Sequence, residues 1–318
     1  AAIVCPATAP PAIHLAAREL QRYVYLRTDQ LLPMVERLPD RGDTILLATD
    51  PSLGPQQYTL KTTTGSAGKS LLLTGGSDIA VLYGAYHWVE KLGVRFGLHR
   101  DVIPDEQIAL VWPEVDETHT PLFEWRGLNP WGSHAEGIDL WNTDDWKQVF
   151  VQMTKLRMNF LGVHSYPEKG GQYDSEPTVW IGLPGDYDAK GRVKSSFSSS
   201  FFNTLRTQWG YLARPTSAYR FGASQLFERD DWGSDVMLGQ CPVPTTPEGC
   251  NAVFDRTGRM FAESFALARQ LGVKTCIGTE GPLRIPTLVK ERLLRQGKDP
   301  KDPAVVREVY EGMFRRIA

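Results

Sequence analysis

The sequence predicts an α/β protein: a small mixed-sheet α/β domain followed by a (β/α)8 TIM-type barrel that is incomplete in this chain. Three observations predict it. Strand-like and helix-like segments alternate through residues 1–112, with two strands set at hairpin spacing around Gly65 and Gly68. Residues 113–121, acidic and bounded by Pro113 and Pro121, read as a linker. Beyond them the stretch from Leu122 to Tyr166 reads strand, helix, strand, with polar and aromatic residues gathered just past each strand. In a parallel barrel those strand ends carry the chemistry.

Each element has its own signal. Ile3-Val4 is a short first strand. Pro10 and Pro11 lead into a helix whose apolar positions Ile13, Ala16, Ala17, Leu20 and Val24 keep helical spacing. Thr44–Thr49 is an apolar run of strand length. Tyr58–Thr62 and Ser70–Thr74 form the hairpin arms, which makes the sheet mixed. Gly75-Gly76-Ser77-Asp78 lacks the spacing of a phosphate-cradling loop and reads as a turn, with Ser77 or Asp78 capping the next helix. That helix carries Ile79, Leu82, Tyr83, Tyr86, Val89 and Leu92 on one side and stops at Gly93; Val94–Phe96 is extended.

The second part, residues 122–318, begins with a strand from Phe123 to Leu128. Thr143 or Asp144 is expected to cap a helix with Trp146, Val149, Phe150, Met153 and Leu156 as its apolar stripe. Phe160–His164 is a second strand. Residues 165–250 form a long insertion rich in Gly, Ser, Pro and aromatics, of a length that is normally functional or separately structured. A helix over Asn251–Leu271 closes at Gly272, and Val273–Gly278 is a third strand leading to Glu280. Helices follow from Thr287 and over Ala304–Ala318. A full barrel needs about 250 residues, so three strand–helix units in this space are expected to be the opening of a longer barrel. A chain that stops inside an amphipathic helix is expected to be a piece of a longer protein.

Composition narrows the partners. A net charge of -2 gives no field toward nucleic acid or an anionic membrane. No apolar run approaches 18 residues, so no membrane span is expected. The 9 tryptophans, many between Trp125 and Trp232, favour an aromatic-lined cleft. The start at Ala1, without Met or a basic-plus-apolar leader, fits a removed signal peptide or a start inside the gene. Of the cysteines, Cys241 and Cys250 bracket a Pro-rich loop and are either bridged or free thiols. His134 and Glu136 have no third ligand at suitable spacing, so no metal and no cofactor are expected. No nucleophile-elbow motif is present.

Two segments resemble the small α/β domain that precedes the barrel in family 20 β-hexosaminidases and family 67 α-glucuronidases: Ala12–Tyr23 and, more specifically, Thr74–Tyr86, which joins strand, turn and helix in that order. Trp125-Arg126-Gly127 resembles the Arg-Gly of the first barrel strand in those hexosaminidases, where the Arg binds sugar hydroxyls. Met158–His164 resembles their second strand, and Gly272–Glu280 their third, where an acidic residue enters the site. Departures exist: Ser165-Tyr166-Pro167 stands where the hexosaminidases carry a Thr-Asp-Asp-type run, and their Asp-Glu pair lies on a fourth strand.

The resemblance implies a glycoside hydrolase acting on a terminal uronic acid or N-acetylhexosamine of an oligo- or polysaccharide, secreted or periplasmic, with a carbohydrate as partner; a homodimer stays open. Such hydrolysis needs two carboxyl groups across the scissile bond. Glu280 is the candidate catalytic carboxylate; the alternative is a cap on the following segment or a pair with Arg284. Other catalytic groups are expected beyond residue 318. Glu168, Asp174 and Glu176 are weaker candidates in a solvated loop. Arg126, Asn129, Trp131, His164 and Tyr166 are the candidate sugar-binding groups: aromatic faces for the ring, forked donors for hydroxyls or a uronate. Three have structural alternatives: an ion pair with Glu124 or Asp145 for Arg126, polar filling of the barrel mouth for His164, and rim packing for Trp131 together with Trp141. The competing functional class is a non-catalytic carbohydrate-binding protein that keeps the barrel mouth and lacks the acid pair.

Overall fold

The structure, a computed structural model, describes residues 1–130, 141–165, 180–181, 188–189, 197–198, 247–279 and 287–317. The chain is a mixed α/β protein that divides into two compact units. The first comprises Ala1–Gly127, Asp145–Phe160 and Ala266–Lys274; the second comprises Leu128–Asp144, Leu161–Phe265 and Thr275–Ala318.

A six-stranded sheet in the first unit has β1 (Ala2–Val4), β2 (Met34–Val35), β3 (Thr44–Thr49), β4 (Tyr58–Gly65), β5 (Gly68–Gly75) and β8 (Asp116–His119), in the order β2-β1-β3-β5-β4-β8. β2, β1, β3 and β5 pair in parallel, while β4 runs antiparallel to both β5 and β8. The helices α1 (Pro11–Thr28) and α2 (Asp78–Lys91) bury their apolar stripes against Ile3, Ile45, Leu60, Leu71 and Leu73. Each fully buried leucine of this set adds about 1.5–3 kcal/mol of apolar burial. A short hairpin of β6 (Arg95–Phe96) and β7 (Asp101–Val102) follows α2.

The Gly75-Gly76-Ser77 turn shows why those residues stand there. A Cβ on Gly75 would lie 2.4 Å from the Val81 nitrogen, and one on Gly76 would lie 2.0 Å from the Gly54 oxygen. Both glycines serve close backbone approach, and the Ser77 hydroxyl accepts the Ala80 N–H at 3.2 Å, capping α2. The turn reading holds, and Ser77 is the capping residue.

The structure differs from the sequence expectations at several elements. The expected linker 113–121 contains β8, the edge strand of the sheet. Its alternating exposure and its charges hide it: Lys61 pairs with Asp116 at 2.8 Å and Lys91 with Glu117 at 2.8 Å. Charged side chains are how an edge strand resists further pairing, so composition alone reads as linker. The first strand after β8, expected over Phe123–Leu128, is only Gly127–Leu128 (β9). The cap of α3 (Thr143–Lys155) is Asn142, whose side-chain oxygen accepts the Asp144 N–H at 2.8 Å, so neither Thr143 nor Asp144 is needed for it. The short β2 strand carries no periodic signal over its two residues.

The expected second and third strands are β10 (Phe160–Ser165) and β13 (Lys274–Thr279), and with β9 they form a three-stranded sheet in the order β13-β10-β9. The Lys274 N–H donates to the Asn159 carbonyl at 2.9 Å, and four residues further on Gly278 lies beside the Val163 carbonyl. The two strands therefore run parallel. Gly127 permits tight pairing of β9 with β10, since a Cβ there would fall 1.7 Å from the Phe160 oxygen. β11 (Trp180–Ile181) and β12 (Phe197–Ser198) form a small antiparallel pair.

Among the remaining helices, α4 (Pro247–Gln270) ends at Gly272 with φ 74°, where the Val273 N–H returns to the Ala268 carbonyl at 2.8 Å. That 6→1 bond closes the helix as a left-handed glycine normally does. α5 (Thr287–Arg295) and α6 (Pro303–Ile317) belong to the second unit, where Lys298 pairs with Glu308 at 2.6 Å. No helix among the described residues is long and apolar enough to cross a membrane. Cys241 and the side chain of Cys250 lie outside the described residues, so the bridge between them does too; Cys5 and Cys276 are free.

Candidate functional site

Of the six residues singled out by sequence, Trp131, Tyr166 and Glu280 lie outside the described residues, as does the side chain of His164. The backbone of His164 sits next to last in β10. Asn129 is exposed just after β9. Arg126, immediately before β9, is described in full, and its geometry is that of a strap. Its Nε donates to the Arg157 carbonyl at 2.9 Å and its Nη1 to the Phe123 carbonyl at 2.6 Å. These acceptors lie where the strands begin, whereas a barrel places its chemistry where strands end. The carbonyls take the place of the Glu124 or Asp145 carboxylates considered for a structural pair.

Asn159, buried at 6% exposure, completes this strap. Its side-chain oxygen accepts the Arg126 N–H at 2.8 Å, and its amide donates to the Glu124 carbonyl at 2.8 Å and to Gln56 Oε1 at 3.1 Å. Trp125 stacks beneath the Lys274 ammonium at 4.3 Å and meets Phe160 edge-on. Arg157 itself adopts φ 60° at the end of α3, and its guanidinium pairs with Glu90 at 3.0 Å. A non-glycine residue there carries a conformational cost of about 1–2 kcal/mol, which the ion pair and the closing bond from Met158 N–H to the Met153 carbonyl help offset.

A second polar group was not anticipated from sequence. His87 on α2 and Glu117 and His119 on β8 lie with one ligand-type atom each within 4.8 Å of the others. Glu117 and His119 are two apart on a strand, so both project toward the same face. The His87 and His119 rings meet edge-to-face at 4.2 Å, and His119 stacks on Tyr58 at 5.2 Å. His87 Nδ1 is 3.2 Å from the Tyr58 hydroxyl. Glu117 receives Lys91 on one carboxylate oxygen at 2.8 Å and lies 3.1 Å from His119 Nε2 with the other. Burial, then the neighbouring His119, pushes the His87 imidazole down to about 4; the hydrogen bond from Lys91 holds the Glu117 carboxyl below its ordinary range. The signal that would have revealed the set is the Glu-Thr-His alternation of β8, which the linker reading conceals.

A third group is closed. Asp101, on β7, takes Lys155 at 2.8 and 3.0 Å, Gln152 at 3.0 Å, and the Tyr23 hydroxyl. Burial opposes ionisation of Asp101, but the hydrogen bonds from Lys155, Tyr23 and Gln152 outweigh it and hold its carboxyl below the ordinary range. The Tyr23 phenol is pushed up, first by burial and then by its bond to Asp101.

No protein-family model matches this chain, and no curated protein does. Solved structures do. A family 138 glycoside hydrolase targeting pectin rhamnogalacturonan II is similar over 98% of this chain, at 10% identity and a TM-score of 0.50; the chain spans 28% of that enzyme's length. A family 20 exo-β-N-acetylglucosaminidase from Vibrio harveyi is matched over 87% of this chain and 32% of its own, at 10% identity and a TM-score of 0.39. A family 115 4-O-methyl-α-glucuronidase with specificity for decorated arabinogalactans is matched over 87% and 41%, at 14% identity and 0.41. At these identities the likeness is one of fold alone.

Proposed function

We propose that this chain is part of a secreted or periplasmic glycoside hydrolase, supplying its small α/β domain and the first strands of its (β/α) barrel. The observation that carries this is the fold likeness to the family 138 enzyme over 98% of the chain. The parallel β10 and β13, adjacent in their sheet, support the barrel reading. His164 is the next-to-last residue of β10, and Glu280 directly follows the last residue of β13 in sequence. Neighbouring parallel strands end on the same side, which is the side a barrel uses for catalysis.

In this reading Glu280 is a catalytic carboxylate, and Asn129, Trp131, His164 and Tyr166 hold a terminal sugar, a uronic acid or an N-acetylhexosamine. A second carboxylate completes the pair, and its distance from Glu280 sets retention or inversion. Arg126 is left out of the sugar-binding set, because two of its nitrogens are committed to carbonyls at the strand starts. The test is Glu280→Gln in the whole encoded protein, assayed on aryl uronides and aryl N-acetylhexosaminides. Turnover is expected to fall by about 10²–10⁴-fold, the contribution of a positioned acid or base. Unchanged turnover would remove Glu280 from the mechanism.

A further inference from the structure

We propose that His87, Glu117 and His119 form a binding site for a divalent transition-metal ion of the zinc class, clamping the edge strand β8 to helix α2. Two imidazoles and one carboxylate are a donor set that zinc accepts, and hard cations such as calcium or magnesium take oxygen ligands instead. In a tetrahedral site with bonds of about 2.0–2.2 Å, neighbouring ligand atoms stand about 3.4 Å apart. The three atoms here already lie within 4.8 Å of one another, so side-chain rotations alone bring them to coordination distance.

The surroundings orient the donors as metal sites do. An imidazole that binds a metal usually donates its other N–H to an outer partner, which fixes the tautomer. The Tyr58 hydroxyl, 3.2 Å from His87 Nδ1, can serve as such a partner for an Nε2-bound metal. Tyr58 also stacks on His119 and so holds its ring plane. Lys91 occupies Glu117 Oε1, and Oε2 is the oxygen turned toward His119. The side chains of Glu117 and His119 are 34% and 36% exposed, which leaves an entry path and room for water as a fourth ligand. The ammonium of Lys91 opposes a nearby cation, so the site is a modest binder rather than a tight one. The donors come from an α/β core remote in sequence from Glu280, and the proposal is independent of the glycosidase reading.

The experiment is calorimetric titration of zinc into the metal-stripped protein, with cobalt(II) absorption as the reporter of coordination. One zinc per chain and a visible cobalt d–d band are expected. His119→Ala and Glu117→Gln should each weaken zinc binding by more than about tenfold, and Tyr58→Phe, which keeps the ring and removes the outer hydroxyl, by about tenfold. Zinc should raise the melting temperature of the wild type and not that of His119→Ala. Circular dichroism of each variant separates lost binding from lost folding. Zinc binding that is undetectable in the wild type, or equally strong in well-folded His119→Ala and Glu117→Gln, overturns the site.

Discussion

The Asp101 group and the His87–Glu117–His119 group are both polar clusters of the first unit, yet they differ in closure. Asp101 and Lys155 have side chains 10% and 6% exposed, and Asp101 accepts from Lys155, Tyr23 and Gln152. Lys155 comes from α3 and Tyr23 from α1, so this pair ties three elements together. The histidine group is about a third exposed, and its members turn toward each other as much as toward outer partners. A buried pair whose hydrogen bonds all come from neighbouring elements is explained by the fold. Donors that converge on one another at a surface are not, and for that reason they invite a ligand.

The largest expected effect tests the closed side of this contrast. Asp101→Asn keeps the shape but leaves Lys155 charged and buried without its counter-ion, which should cost about 3–5 kcal/mol in urea unfolding. The pH dependence follows from the lowered carboxyl of Asp101. Its contribution is present in full above the ordinary carboxylate value of 3.8 and is lost as pH falls through the lower folded value. The stability gap between wild type and Asp101→Asn should therefore be constant near neutral pH and narrow on acidification below 3.8. A gap under about 1 kcal/mol at pH 7 would mean that the pair is no more than a surface contact.

Asn159 stands between the two cases. It is as buried as Lys155 but neutral, and its partners are the Arg126 N–H and the Glu124 carbonyl just before β9 and the Gln56 side chain. Asn159→Ala strands the Arg126 N–H, while the Glu124 carbonyl keeps the Gln56 amide as donor, at an expected cost of about 1–3 kcal/mol by chemical denaturation. A loss at this intermediate level would place closure, rather than charge alone, behind the difference. A loss equal to that of Asp101→Asn would assign the strand starts a larger part in the fold.

How much of this was legible in the sequence depends on the range of the interaction. Local signals were readable: the alternation of Tyr58–Thr62 and Ser70–Thr74, the Ser77 cap, and the glycine stop of α4 all act within a few residues. Arg126 and Gly127 were visible as a motif, but only the structure shows the glycine answering to the Phe160 carbonyl and the arginine to the Arg157 carbonyl. Asp101 with Lys155, and His87 with Glu117, join positions tens of residues apart, and no spacing announces them. The edge strand β8 was lost for a related reason. Its charges answer to solvent, to Lys61 on the neighbouring strand and to Lys91 on α2, so its own pattern resembles a linker. Of the predicted site, Trp131, Tyr166 and Glu280 fall outside the described residues, and their role rests on the proposal alone.

The smallest expected effect tests the open side. In metal-free protein, His119→Ala removes a ring about a third exposed, its contact with Glu117 and its stack on Tyr58. Exposed polar pairs of this kind contribute about 0–1 kcal/mol, so the variant should unfold within about 1 kcal/mol of wild type. Glu117 keeps Lys91 as a partner in its absence, and no buried charge is stranded. A loss near 3 kcal/mol without metal would move the histidine group into the same class as Asp101, a closed structural network, and the physical contrast between the two clusters would fail. A small loss without metal, together with a larger gap once zinc is added, is what a site held open for a ligand must show, because binding adds stability to the folded state only where the ligands are intact.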